Sequence, residues 1–232
     1  MKKIVISFVA VALGMLLSSL LTNEKDSTEN GYDELVTVST SEDTSSEILV
    51  INEIGKHFTI PIASIPQLAT YLETAPDAKM ELARIHYEFL SGDSDHFVLK
   101  YGCGNKRCHL LLVEVIDSGA VTTVELGEGI YASAEVFQQQ AMFLIAENEG
   151  NEVVRHKIML VDLHTLKNIY PKDQLLTELY FVDARYPITK LEWLSETSIR
   201  LEVADIDEAS YEAVASWYKE EDAAVVVVEI AL

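Results

Sequence analysis

From residue 83 onward the chain keeps a period of two. ARIHYEFL alternates between polar and apolar positions and runs into SGDSD; HFVLKYG runs into GNKR, and HLLLVEV into DSGA. VTTVEL, YASAEVF and AMFLIAE follow, then the turn NEGN and EVVRHKIMLVDL; PITKLEWL, SIRLEVA and AAVVVVEIAL complete the series. Such alternation sends successive side chains to opposite faces of a strand, and the Gly, Asn, Asp and Ser clusters between runs are turn formers. Strands this close together predict a mainly β fold, an antiparallel β-meander of strand–turn–strand units. Upstream, ILVINEIGKHFTIP suits two short strands. One or two short helices interrupt the pattern. Residues 64–75, SIPQLATYLETA, have Ser64 as a candidate cap, Pro66 in the first turn and Leu68, Tyr71 and Leu72 on one face. Residues 207–222 fit helical spacing at Tyr211, Val214, Ala215 and Tyr218, but also alternate at Tyr211, Ala213, Ala215 and Trp217; a short helix is expected there.

The units repeat. FVLKYGCGN (97–105) matches FLIAENEGN (143–151) at an offset of 46. With two extra residues in the second turn, RCHLLLVEV (107–115) matches RHKIMLVDL (155–163). A weaker third copy aligns 191–203 with 134–146. Units of this size resemble blades of a β-propeller, but three copies fall short of a closed ring. The expectation is an incomplete propeller, a blade-like stack of sheets, or a twisted sandwich.

The first residues differ. Lys2 and Lys3 precede an apolar run from Ile4 to Leu21, the layout of an export signal, with no A-x-A cleavage site near its end. The run also suffices for one membrane-spanning helix. Residues 1–22 are therefore expected to be a signal peptide or an N-terminal membrane anchor. Residues 23–47 hold eight acidic residues, one Lys and nine Ser or Thr. A stretch so poor in apolar groups reads as a disordered linker. Residues 48–232 then form a single extracytoplasmic β-rich domain, secreted or anchored.

Export changes how the cysteines are read. Cys103 and Cys108 stand in YGCGNKRC, a C-x4-C spacing around turn residues. Disulfides persist in oxidising compartments, and the spacing is neither the redox C-x-x-C nor half of a four-ligand zinc site with a visible second half. A disulfide across the neck of a hairpin is expected.

The formal net charge of −21 argues against nucleic acid, whose binding needs clustered Lys and Arg. A membrane is expected to be met only through the N-terminal segment, if it is retained. No G-x-S-x-G, H-E-x-x-H or phosphate-loop motif occurs, no cofactor is indicated and no metal site is expected. Asp93 and Asp95 are weak Ca2+ candidates. Asp205, Asp207 and Glu208 form another acidic group. His86, His109 and His156 fall in strands and are expected at sheet surfaces or edges. One local feature opposes the acidic background: Lys100, Lys106 and Arg107 gather at the stapled hairpin beside Tyr101 and His109. Those five residues are the candidate contact surface for an envelope or extracellular partner. The expected function is a non-enzymatic binding or interaction module of the cell envelope. The alternatives are an extracytoplasmic hydrolase with a loop-built carboxylate site, whose carboxylates or histidines would come from different repeats, and a structural envelope protein.

Overall fold

In the computed structural model, residues 37–39, 47–53, 56–92, 95–116 and 120–232 are described. The expected leader, most of the expected linker and Asp93 lie outside them. The architecture is mainly β and antiparallel throughout. The first sheet has the order β1 (Thr37–Ser39), β2 (Ile48–Glu53), β3 (Lys56–Pro61). β1 falls inside the stretch expected to be linker and pairs with β2 from Thr37↔Val50 to Ser39↔Ile48.

A seven-stranded sheet follows: β4 (His86–Phe89), β5 (His96–Tyr101), β6 (Cys108–Val115), β7 (Val121–Phe137), β8 (Gln140–Glu149), β9 (Val153–Asp162) and β10 (Lys167–Ile169), paired in chain order. The last sheet is β11 (Ile188–Ser195), β12 (Ser198–Ala204) and β13 (Val225–Ala231).

The seven-stranded sheet folds on itself along β7. VTTVEL and YASAEVF, read from the sequence as two strands, are one strand of 17 residues. Its first half pairs with β6 as far as Cys108↔Gly129, and its second half pairs with β8 from Ile130↔Ala146. Gly129 marks the handover: its φ is +153°, and a Cβ there would overlap Ile145 Cγ2 and lie 3.0 Å from the Ala146 carbonyl oxygen. Only glycine satisfies both conditions.

Four layers result, separated by three cores. Leu49, Ile51, Ile60 and Leu68 pack on Phe97, Leu99, Leu111 and Val113. Val98, Leu110 and Leu112 face Phe143, Ile145 and Val161 across the second core. Met142, Ile158 and Leu160 face Ile188, Ile199, Leu201 and Ile230 across the third. Alternate residues of β5, β6, β8 and β9 thus enter different cores, which is why HLLLVEV and AMFLIA read as nearly unbroken apolar runs. Each fully buried Leu, Ile, Val or Phe contributes about 1.5–3 kcal/mol.

The two ends of the stack carry polar ladders, although Leu194 and Val225–Val227 of the last sheet are also exposed. Asn52, His57 and Thr59 are exposed on the first sheet and hydrogen-bond one another. On the last sheet Lys190, Glu192, Arg200 and Glu229 form an ion-pair ladder. No core joins first sheet to last among the described residues. The stack is therefore open, capped at both ends as repeat arrays are.

The repeat is real in the pairing register. Phe97↔Val113 and Phe143↔Met159 are equivalent pairs, and 143 − 97 and 159 − 113 both give 46. The second strands thus align without the two-residue insertion that the sequence comparison used.

Helices are more numerous than the one or two expected. α1 is Pro66–Thr74, preceded by a 3-10 turn, Ile62–Ser64. Ser64 does not cap it; its hydroxyl donates to the Pro61 carbonyl. α2 (Ala78–Leu82) and α3 (Gln174–Thr177) are short and begin at Asp77 and Asp173, whose carboxylates accept backbone N–H groups. A π-helical turn, Glu178–Val182, follows α3. The strand expected in ARIHYEFL (83–90) begins only at His86, because α2 ends at Leu82 and a turn follows it. α4 (Tyr211–Trp217), capped by Ser210, resolves the ambiguous 207–222 stretch as helix. No helix among the described residues is long and apolar enough to cross a membrane.

Candidate functional site

The hairpin between β5 and β6 carries a disulfide between Cys103 and Cys108. Inside it the Gly104 N–H donates to the Arg107 carbonyl at 2.9 Å. The turn is tied to the helices from outside. Arg84 donates one guanidinium N–H to the Cys103 carbonyl and another to Glu81 Oε1 at 3.1 Å. Glu81 is buried, and its other oxygen accepts the Tyr71 hydroxyl at 2.6 Å. A buried carboxylate holds its charge only with such partners. That hydrogen bond, ahead of burial, raises the Tyr71 phenol above its ordinary value.

The five expected contact residues do not share one surface. Lys100 lies on the face of β5 opposite Tyr101, where it pairs with Glu88 at 2.7 Å and sits 4.8 Å from the centre of the Tyr131 ring. Lys106 is exposed at the turn. Arg107 pairs with Glu128 at 3.0 Å, and His109 Nδ1 lies 3.6 Å from the same carboxylate. Tyr101 is buried, stacked on His109 with ring centres 5.1 Å apart and edge-on to Tyr71 at 5.3 Å. Burial first, and the Glu125 charge second, push its phenol up to about 12.

The three rings border an open groove of about 490 Å3 between α1 and the β5–β7 surface. Gln67, Thr70 and Tyr71 line it from the helix, Tyr101 and His109 from β5 and β6, and Glu125 from β7. Gly102 makes this close packing possible. Its φ is +59°, and a Cβ would stand 2.8 Å from His109 Cδ2 and 3.0 Å from the Tyr71 ring. The sequence did not single out Gln67, Thr70, Tyr71 or Glu125. Tyr71 was read only as part of the apolar helix face, although a tyrosine among leucines keeps a polar tip that needs a partner.

The other carboxylates are placed differently. Asp205, Asp207, Glu208 and Glu220 line a second cleft of about 620 Å3 beside Trp217, and all four come from the single β12–β13 connection. Asp95 is exposed. Among the described residues no group of three or more His, Cys, Asp or Glu is arranged to hold a metal ion.

His86 is exposed and His109 half-buried, as expected for sheet surfaces; His156 is half-buried too, and it ties two sheets together. Its Nδ1 accepts the Ile188 N–H at 3.0 Å, joining β9 to the start of β11, and burial lowers its pKa to about 4.

No family model, curated protein or solved structure matches this chain.

Proposed function

We propose that this protein is a non-enzymatic binding module acting outside the cytoplasm. In this reading residues 1–22 export or anchor it, residues 23–47 tether it apart from Thr37–Ser39, which pair with the first sheet, and residues 48–232 carry the binding surface. The disulfide is compatible with an oxidising compartment. The observation that carries the reading is the groove: aromatic and hydrogen-bonding side chains from α1, β5, β6 and β7 converge on one concavity whose rim is braced by the disulfide turn. Concave, partly apolar sites with a few polar groups are where small ligands and polymer ends bind. Bracing lowers the ordering cost of binding. Lys106 and Arg107 on the adjoining turn would meet a larger partner. The hydrolase alternative expects carboxylates or histidines from different repeats, whereas the acidic cleft draws its four from one connection.

The test is retention of the full chain on envelope fractions of its host. His109→Ala with Gln67→Ala should cut retention at least fivefold while leaving thermal stability within about 1 kcal/mol. Lys106→Glu with Arg107→Glu should cut it less. Undiminished retention in both variants would remove the groove from the reading.

A further inference from the structure

The charges around the groove do not favour the acidic partner that a basic hairpin suggests. Arg107 is held by Glu128 and Arg84 by Glu81. Lys100 is held by Glu88 on the other face of β5. Two charges are left without an ion pair among the described residues: Lys106, exposed at the tip of the turn, and Glu125, exposed on the groove wall itself. The groove therefore presents one uncompensated carboxylate, on a chain of net charge −21, beside the rings of Tyr71, Tyr101 and His109.

Those rings are mutually inclined. Tyr71 meets Tyr101 at 66° and His109 at 55°, while Tyr101 and His109 lie within 22° of parallel. Inclined ring faces with a carboxylate at the rim recognise an organic cation: the ring quadrupole and the fixed charge both attract it. An anion would meet Glu125 unfavourably, and a neutral ligand would draw nothing from its charge. A methylated ammonium suits the lining better than a primary amine. It is weakly hydrated and needs no hydrogen bonds of its own, whereas –NH3+ would have three donors to satisfy. The methyl groups of such a cation would pack on the Tyr71 and His109 rings while its charge faces Glu125.

We propose that the groove between α1 and the disulfide hairpin binds a methylated ammonium group through the Tyr71 and His109 rings and Glu125. This rests on the reading of the groove as a ligand site. The group would belong either to a free small molecule or to a lipid headgroup.

The experiment is calorimetric titration of the full chain at pH 8 with choline and with its neutral isostere, 3,3-dimethylbutan-1-ol. Choline should bind at least tenfold more tightly than the isostere. Glu125→Gln should weaken choline at least fivefold without changing the isostere or the melting temperature, which separates lost recognition from lost fold. Co-sedimentation with phosphatidylcholine vesicles, competed by free choline, would assign the group to a headgroup; choline binding without sedimentation would assign it to a free ligand. Equal binding of choline and isostere would overturn the cation while leaving a ligand groove in place. If neither binds, the proposal is overturned, and the envelope-retention variants then decide separately whether the groove binds anything.

Discussion

Arg155 offers the sharpest test of what holds the later layers together. Its side chain is buried on β9. Nη1 donates to the Arg185 carbonyl at 2.6 Å and to the Ala209 carbonyl at 2.9 Å, while Nε donates to Glu149 at 2.9 Å. One guanidinium therefore fastens the segment before β11 and the segment before α4 to the middle of the stack. Arg155→Met keeps much of the apolar stem and removes all three bonds. Glu149 is half exposed, so losing that pair costs only about 0–1 kcal/mol. The two carbonyls lose a charged donor, and leaving such acceptors unsatisfied costs about 1–3 kcal/mol each. The expected total is about 3–5 kcal/mol. In urea, with a slope of about 2 kcal/mol/M for a domain of this size, the midpoint should fall by more than about 1 M. Glu149→Gln should cost under about 1 kcal/mol. A small loss in Arg155→Met, or equal losses in the two variants, would refute the view that the carbonyls rather than the ion pair carry the energy.

Three further outcomes are expected. Cys103→Ser with Cys108→Ser opens a link of sequence separation 5 and should cost about 2 kcal/mol by the chain-entropy account, read as a fall in melting temperature that reductant reproduces in the unmodified chain. Between pH 6.5 and 4 the unfolded chain binds a proton on His156 that the folded chain excludes. Its stabilising contribution is therefore complete above about pH 6.5 and is lost as pH falls towards 4, on the order of 3 kcal/mol in all; His156→Gln should flatten the difference in unfolding free energy between pH 7 and pH 4. Gly129→Ala should cost more than about 3 kcal/mol, or prevent folding, because backbone conformation and crowding against Ile145 and Ala146 both oppose a Cβ; a cost under about 1 kcal/mol in denaturant titration would contradict the handover geometry.

The strands were legible because their burial is so regular. AMFLIA and HLLLVEV betray burial on two faces, and the Phe97 and Phe143 repeat emerges as equivalent positions each facing the preceding layer. The continuity of β7 was not legible. Gly127 and Gly129 resemble turn punctuation, yet here they bend a strand that never leaves its ladders. Five-residue α2 was hidden because a single turn carries too little periodicity, and its Asp77 cap becomes meaningful only once the turn forms. The groove was half visible. Tyr101 and His109 stood out beside the cysteines, but α1 is brought to them by packing across the first core and β7 by pairing with β6, which no local pattern records. Local charge misled in the same way: Glu88 and Glu128, which neutralise Lys100 and Arg107, reach them through neighbouring strands.

The unbroken passage of β7 through two layers bears on how the molecule comes apart. A stack of separate sheets would lose its layers one at a time, each open interface melting as a nearly independent unit. Here the middle layers share a backbone, and neither half of β7 can release its ladder without disturbing the glycine at which the other begins. The two middle sheets should therefore exchange their amide hydrogens as one cooperative block at the global rate, while the first and last sheets open earlier and apart. The candidate groove sits where an early-opening layer meets that block: α1 packs with the first sheet, and the disulfide hairpin belongs to the middle. Occupying it would couple the least persistent part of the fold to the most persistent.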